Sequence, residues 1–271
     1  MVTQKNTLSA RISLRKARKA VLSKTTYRGI TDVIIFFICW EVSSTLNFPI
    51  VGQIPPPSSV ISAMRKIIGS PDFWGSWLVS FKRVFGGFIV AQIVGIPLGL
   101  LMGINRVFRD LTFPAIEILR PIPPLAWVPT AVIFWPTAEM SITFVTFLGA
   151  FFTVVLNIIG GAKSIDVRYI RAAHSLGSRR RDIFLRIVLP ATLPSMFVGM
   201  AVGMGITWEV VVAAEMIASR SGLGFLTWQA YVAGNYPVIV IGMISIGIAG
   251  FLSSTLIRFI GRHFTPWLKI I

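Results

Sequence analysis

Three carboxylates interrupt apolar runs long enough to cross a bilayer: Glu41 in one, Glu209 and Glu215 in another. An ionisable group inside hydrocarbon is expensive, so each is a candidate for work on a solute or ion path. Trp208 and Glu215 are seven residues apart and share a helical face, whereas Glu209 lies about 100° round from Trp208. Together with Trp40, Glu41 and Thr207 they would form an aromatic wall broken by polar groups, a candidate translocation pathway. The structural alternative stands beside it. Glu215 would cap or pair near the outer end of its helix, and the aromatics would pack or sit in an interfacial belt.

Other chemistry finds little support. A phosphate-binding loop needs GxxxxGK[ST], and the nearest stretch, Gly160-Gly161-Ala162-Lys163-Ser164, has Ala162 and Asn157 where the two glycines must stand. ATP hydrolysis is therefore not expected of this chain, nor is any cofactor. No HExxH, GxSxG or Cys-His pattern occurs, and a single cysteine (Cys39) with two histidines (His174, His263) makes a metal site or disulfide framework improbable.

The elements that must hold these residues follow from composition. Of 271 residues, 54% are hydrophobic and 13% charged, with a mean hydropathy of +0.76. Soluble chains carry roughly a quarter charged residues, so the formal net charge of +16 does not read as a nucleic-acid signal. Six spans are expected, at about 30–48, 84–104, 122–135, 140–161, 193–218 and 238–260, giving an all-α membrane protein. Pro123, Pro124 and Pro129 predict that the third begins as a broken segment. With the N-terminus inside, 21 of the 26 Lys and Arg fall on the inner side, and Arg65, Lys66, Lys82, Arg83 and Arg220 fall outside. That bias predicts six spans with both termini cytoplasmic.

The expected organisation is a basic N-terminal segment (1–29), a transmembrane domain (30–268) and a short tail (269–271). The N-terminal segment is too long and too charged for a signal peptide's n-region, so the first run is expected to be retained. Residues 3–24 suit either a basic helix on an anionic leaflet or a mobile tail. Gly95, Gly99 and Gly103, and again Gly199 and Gly203, recur every four residues and predict close helix packing.

One inner loop, Lys163–Pro190, combines length with helical periodicity. Val167, Ile170, Ala173 and Leu176 recur at three-residue steps, and Ile183, Ile187 and Val188 continue after Gly177. Gly177 suits a left-handed helix end, with Ser178 or Asp182 near the start of the next helix. The expected form is a short helix, a tight turn and a second helix leading to Pro190. A helix pair merely lying on the membrane is the alternative.

Arg171-Ala172-Ala173, Gly177 four residues on, and Ile187-Val188-Leu189-Pro190 resemble the EAA loop of permease subunits of bacterial ABC importers, with Arg171 where the family pattern usually has Glu. Pro55-Pro56-Pro57-Ser58, Arg120–Trp127 (RPIPPLAW), Val212–Met216 (VAAEM), Gly222–Phe225 (GLGF) and Thr265-Pro266-Trp267 resemble the taurine, sulfonate, nitrate and bicarbonate branch, most of all its taurine-type permeases. The likeness runs in order from about residue 30 to 268.

The resemblance implies a type I importer permease fold whose cytoplasmic coupling helix, with Arg171, Ala172, Ala173, Ser175, Leu176 and Gly177, docks on a separate ATPase. It also implies a second permease copy, an extracytoplasmic solute-binding protein, and ATP and Mg on the ATPase partner, in the inner membrane. The solute would be a small anion or zwitterion, taken up by alternating access. Glu41 or Glu209 would favour a zwitterion such as taurine, whose ammonium meets a carboxylate, over nitrate, nitrite or bicarbonate. An ion-coupled carrier or channel using the three carboxylates is the competing class, and a structural membrane scaffold a third.

Overall fold

The computed structural model describes residues 29, 31–46 and 54–267, and these fall into two units, Met1–Arg65 and Lys66–Ile271. The basic segment expected over 1–29, apart from Gly29, and the tail 269–271 lie outside the described residues. In the first unit, helix α1 (residues 31–45) exposes Val33, Ile34, Ile35, Phe36, Phe37 and Ile38 in succession. A helix that is apolar on every side suits a lipid environment. Helix α2 (Pro57–Ile67) opens with Pro57 in its first turn, where the missing N–H costs nothing.

The second unit is built on four long helices, α3 (Pro71–Ile104), α6 (Ala138–Lys163), α9 (Leu189–Ala218) and α11 (Tyr236–Phe264), each long and apolar enough to cross a membrane. Between them lie α4 (Arg106–Leu119), α5 (Val128–Phe134), α7 (Val167–Ser175), α8 (Arg180–Ile183) and α10 (Leu223–Val232). No strand occurs among the described residues. Helix α6 is the most buried of the long four and packs against α3 on one side and α9 on the other, while α11 packs on α9. The main core joins Val84 and Phe88 of α3, Ile142, Val145 and Ala150 of α6, and Met204, Trp208 and Val211 of α9.

Short polar residues punctuate the chain. Ser70 accepts the Asp72 N–H at the start of α3, and Thr137 accepts the Met140 N–H at the start of α6. Asn105 serves twice: its backbone N–H donates to Leu101 O to close α3, and its side chain accepts from Phe108 N–H to open α4. Pro266 follows α11 and cannot continue it.

The glycine spacing has the consequence expected of it. A Cβ at Gly99 would lie 2.9 Å from Ile158 Cβ, and one at Gly103 would lie 2.5 Å from Ala162 Cβ, so α3 and α6 approach along a line of hydrogen atoms. Gly103→Val is therefore expected to destabilise the chain by about 1–3 kcal/mol through overpacking. Thermal unfolding in detergent would check it: adding Ala162→Gly should recover most of the loss, and no recovery would locate the strain elsewhere.

Spans differ from the sequence expectation in instructive ways. Helix α3 begins at Pro71, thirteen residues before the expected Val84, and carries Lys82 and Arg83 within it. Arg83 is thus not an outer-loop charge; its burial is made tolerable by carboxylates described below. The third span starts broken, as the prolines predict: a 3-10 turn (Pro124–Trp127) leads into α5. Yet α4, read as part of an inner loop, is an amphipathic helix with Arg106, Arg109, Asp110 and Glu117 among its fourteen residues, and it forms with Pro124–Phe134 a pair bent by 84°. Among the described residues four helices have spanning length, five if the bent pair is one span, while the first expected span is described as a helix only over 31–45.

Candidate functional site

Two polar constructions stand at opposite ends of α6, about 36 Å apart at 1.5 Å per residue from Glu139 to Lys163. At the C-terminal end is the Lys163–Pro190 loop. Asp166 opens α7 by accepting the Arg168 N–H at 2.8 Å, and its second oxygen meets the Arg168 guanidinium at 2.7 Å. The guanidinium bond first, and the N–H bond second, hold the Asp166 carboxyl below its ordinary range. Helix α7 closes on Gly177, at φ +75°, with Gly177 N–H donating to His174 O and Ser178 N–H to Ala173 O. Those two bonds define a Schellman end, which requires the left-handed residue that Gly supplies without penalty.

Helix α7 buries none of its residues. Leu176 is 85% exposed, and Arg171, Ala172, Ser175 and Gly177 are exposed as well, with Ala173 half-buried. Beside them runs a groove of about 580 Å³, bordered by Tyr169, Ala172, Leu176, Pro190 and Trp267. With Val167 and Tyr169 also exposed, Leu176 is one of three large apolar side chains that α7 and its turn leave uncovered. The next helix departs from expectation twice. Neither Ser178 nor Asp182 caps it, for its N-cap is Arg179 with no side-chain bond. Nor does it stop at Pro190: a π turn (Phe184–Val188), in which Leu189 N–H donates to Phe184 O, carries the chain into α9 and accommodates the proline's missing donor.

At the N-terminal end of α6 is an ion-pair lock whose Arg83–Glu215 pair is buried while Glu139 stays largely exposed. Arg83 of α3 grips Glu139 through Nε and Nη2, and its Nη1 donates to Glu215 Oε1 at 2.9 Å and to Ser221 O at 2.7 Å. Glu215 has no exposed surface and also accepts from Ser80 O–H and, at 2.9 Å, from Gly224 N–H. Ser80 Oγ in turn accepts Leu223 N–H at 2.8 Å. Glu215 and Ser80 therefore satisfy the first free amides of α10, where a helix favours negative charge. The chain between α9 and α10 fits only because position 222 is glycine: a Cβ on Gly222, at φ +109°, would lie 2.3 Å from the Glu215 carboxyl carbon.

The residues expected to line a pathway are thus distributed. Glu215 meets Arg83 and reaches no open surface. Thr207 is buried, its hydroxyl donating to Gly203 O, and Trp208 is buried with its Nε1–H on Ser253 Oγ at 3.3 Å and its ring edge-on to Phe81. Glu209 points the other way and is exposed, on a face of α9 shared with Val198, Val202 and Gly205. In the first unit, Trp40 stacks on Phe37, and the Glu41 carboxylate accepts both the N–H and O–H of Ser58, capping α2. Sequence reading missed Arg83, Ser80 and Glu139. The available signal was electrostatic: a carboxylate at Glu215 needs a cation, and Arg83 stands at the edge of an apolar run.

Long apolar helices packed side by side, with an exposed helical loop at one end, define a multi-pass membrane protein. The chain belongs to the family of binding-protein-dependent transport system inner membrane components, whose pattern matches residues 95–270. Within it, the chain is an ABC importer permease of the branch that includes taurine and nitrate permeases. It is 38% identical, over 96% of this chain and 97% of the relative, to a Methanocaldococcus jannaschii protein that carries the provisional name ABC transporter permease protein. The taurine transport system permease protein of Escherichia coli K12 is 33% identical over 91% of each chain. The nitrate import permease protein of Leptolyngbya laminosa is 31% identical over 94% of this chain and 96% of its own. In structure the chain resembles a subunit of the MetNI methionine ABC transporter in an inward-facing conformation, with a TM-score of 0.59 over 74% of this chain and 99% of that one, at 18% identity.

Proposed function

We propose that the chain, as a permease subunit, moves a small zwitterionic or anionic solute of the taurine and alkanesulfonate kind into the cytoplasm by alternating access. The observation that carries the coupling half of this reading is α7, a helix that buries nothing of itself and presents Leu176 beside an open groove. Its partner would be an ATPase subunit carrying ATP and Mg, docked on Arg171, Ala172, Ala173, Ser175, Leu176 and Gly177. Both termini lie in the cytoplasm, a second permease copy completes the path, and an extracytoplasmic binding protein delivers the solute. Copurification of the tagged chain from its own membranes tests the assembly. Recovery without any chain bearing a phosphate-binding loop would count against it.

Glu209 supports the zwitterion. Among the pathway carboxylates it alone has neither an ion pair nor a hydrogen-bond partner among the described residues, since Glu215 is locked to Arg83 and Glu41 to Ser58. An ammonium has a charge to meet there, whereas nitrate, nitrite or bicarbonate is repelled. The nitrate reading keeps its own support in the similarity to nitrate permeases at nearly the same identity. Glu209→Gln is expected to lower aminosulfonate uptake about tenfold, the effect of losing roughly 1.4 kcal/mol. Unchanged uptake by that variant removes Glu209 from solute recognition.

A further inference from the structure

A groove of about 480 Å³ runs between the first turns of α9 and the end of α11. Its floor is apolar, formed by Pro194, Phe197, Val198 and Val202. Along one edge stand Arg258 and Arg262, one helical turn apart and both exposed. Neither has a carboxylate within ion-pair distance among the described residues; Arg258 only donates to the hydroxyl of Thr255. The groove opens at the same end of the molecule as the coupling loop, because Trp267, just past α11, borders the α7 groove.

An apolar trough ending in two unpaired guanidiniums is complementary in shape and charge to an amphiphile with an anionic head. Basic pockets between spanning helices on the cytoplasmic side are suited to anionic lipid headgroups, and arginine's planar fork matches a phosphate better than lysine's point charge. We propose that this groove binds an anionic phospholipid, its phosphate on Arg258 and Arg262 and one acyl chain along Phe197, Val198 and Val202, ending short of Glu209, which lies about 10 Å further along the same face of α9. Gly261 contributes by its size. A Cβ there would meet Phe197 at 2.8 Å, so the ring lies flat against α11 and stacks on Phe264 at 6.0 Å, which leaves the trough open.

The leaflet assignment rests on the cytoplasmic placement of the coupling loop, but the test does not. The full-length chain, purified in detergent, is exposed to an equimolar mixture of phosphatidylglycerol and phosphatidylcholine, and retained lipid is read by native mass spectrometry. The wild type should retain phosphatidylglycerol selectively. Arg258→Gln with Arg262→Gln should cut that selectivity roughly thirtyfold at low salt, two cationic contacts' worth. Val198→Trp, which fills the trough and leaves both charges, should also release the lipid, and both variants should elute as the wild type does. Equal retention by wild type and either variant overturns the proposal. So does quantitative disulfide dimerisation of Val198→Cys, made with Cys39→Ser, that added phosphatidylglycerol fails to suppress, since a second copy would then occupy the groove.

Discussion

Arg83→Gln is expected to cost the protein about 3–5 kcal/mol, the range for removing one partner of a buried ion pair. The guanidinium holds together elements from four parts of the chain: α3, the first turn of α6 through Glu139, the end of α9 through Glu215, and the turn at Ser221. Without it, Glu215 keeps Ser80 and Gly224 as donors but remains a carboxylate with no exposed surface and no cation. Arg83→Lys should rescue little, because one ammonium cannot span both carboxylates in the geometry of a five-donor fork. Pairing Arg83→Gln with Glu215→Gln should return much of the loss, since an uncharged pair can share one hydrogen bond. Thermal unfolding of the four chains in one detergent decides the matter: an Arg83→Gln midpoint equal to the wild type's would show the lock to be dispensable.

The second large effect falls at the other end of α6. Gly177→Asp should abolish uptake and solute-stimulated ATPase activity of the assembled importer while the chain stays folded in the membrane. The fold survives because nothing lies within 4 Å of a Cβ at Gly177, so only the left-handed backbone is penalised, by about 1–2 kcal/mol, and Asp tolerates that region better than most residues. Docking is lost because a carboxylate then stands next to Leu176, the most exposed apolar residue of the loop. Gly177→Asn separates the two causes, keeping the size and backbone preference of Asp without its charge, and should retain much of the activity. Normal uptake by Gly177→Asp would contradict the docking role.

How much of this was legible in the chain depends on the range of the interaction that decides each feature. The α7 turn is local: Gly177 N–H closes on His174 O, three residues back, and Ser178 N–H on Ala173 O, five back, and the spacing alone announces it. The α3–α6 seam is nearly so, because the Gly95, Gly99 and Gly103 repeat declares a groove, though not which helix fills it. The start of α3 was hidden. Hydropathy ends a span at Lys82 and Arg83, and only carboxylates 56 and 132 residues away make the arginine an interior residue. Asn105 was hidden differently: ending one helix and starting the next, it splits what charge counting treats as a single loop, so α4 went unseen.

The sequence by itself determined the solvent and the class: apolar runs of spanning length, a one-sided distribution of basic residues, and an exposed loop with a glycine turn. These follow from composition and from bonds between residues a few positions apart. Only the tertiary structure decided which of the three carboxylates is left without a partner among the described residues. Glu41, Glu209 and Glu215 look alike in the chain, yet one caps α2, one is sealed against Arg83 and one stays exposed. The state of a charge depends on what meets it in space, and for Glu215 the decisive partners come from residues as far as 135 positions away.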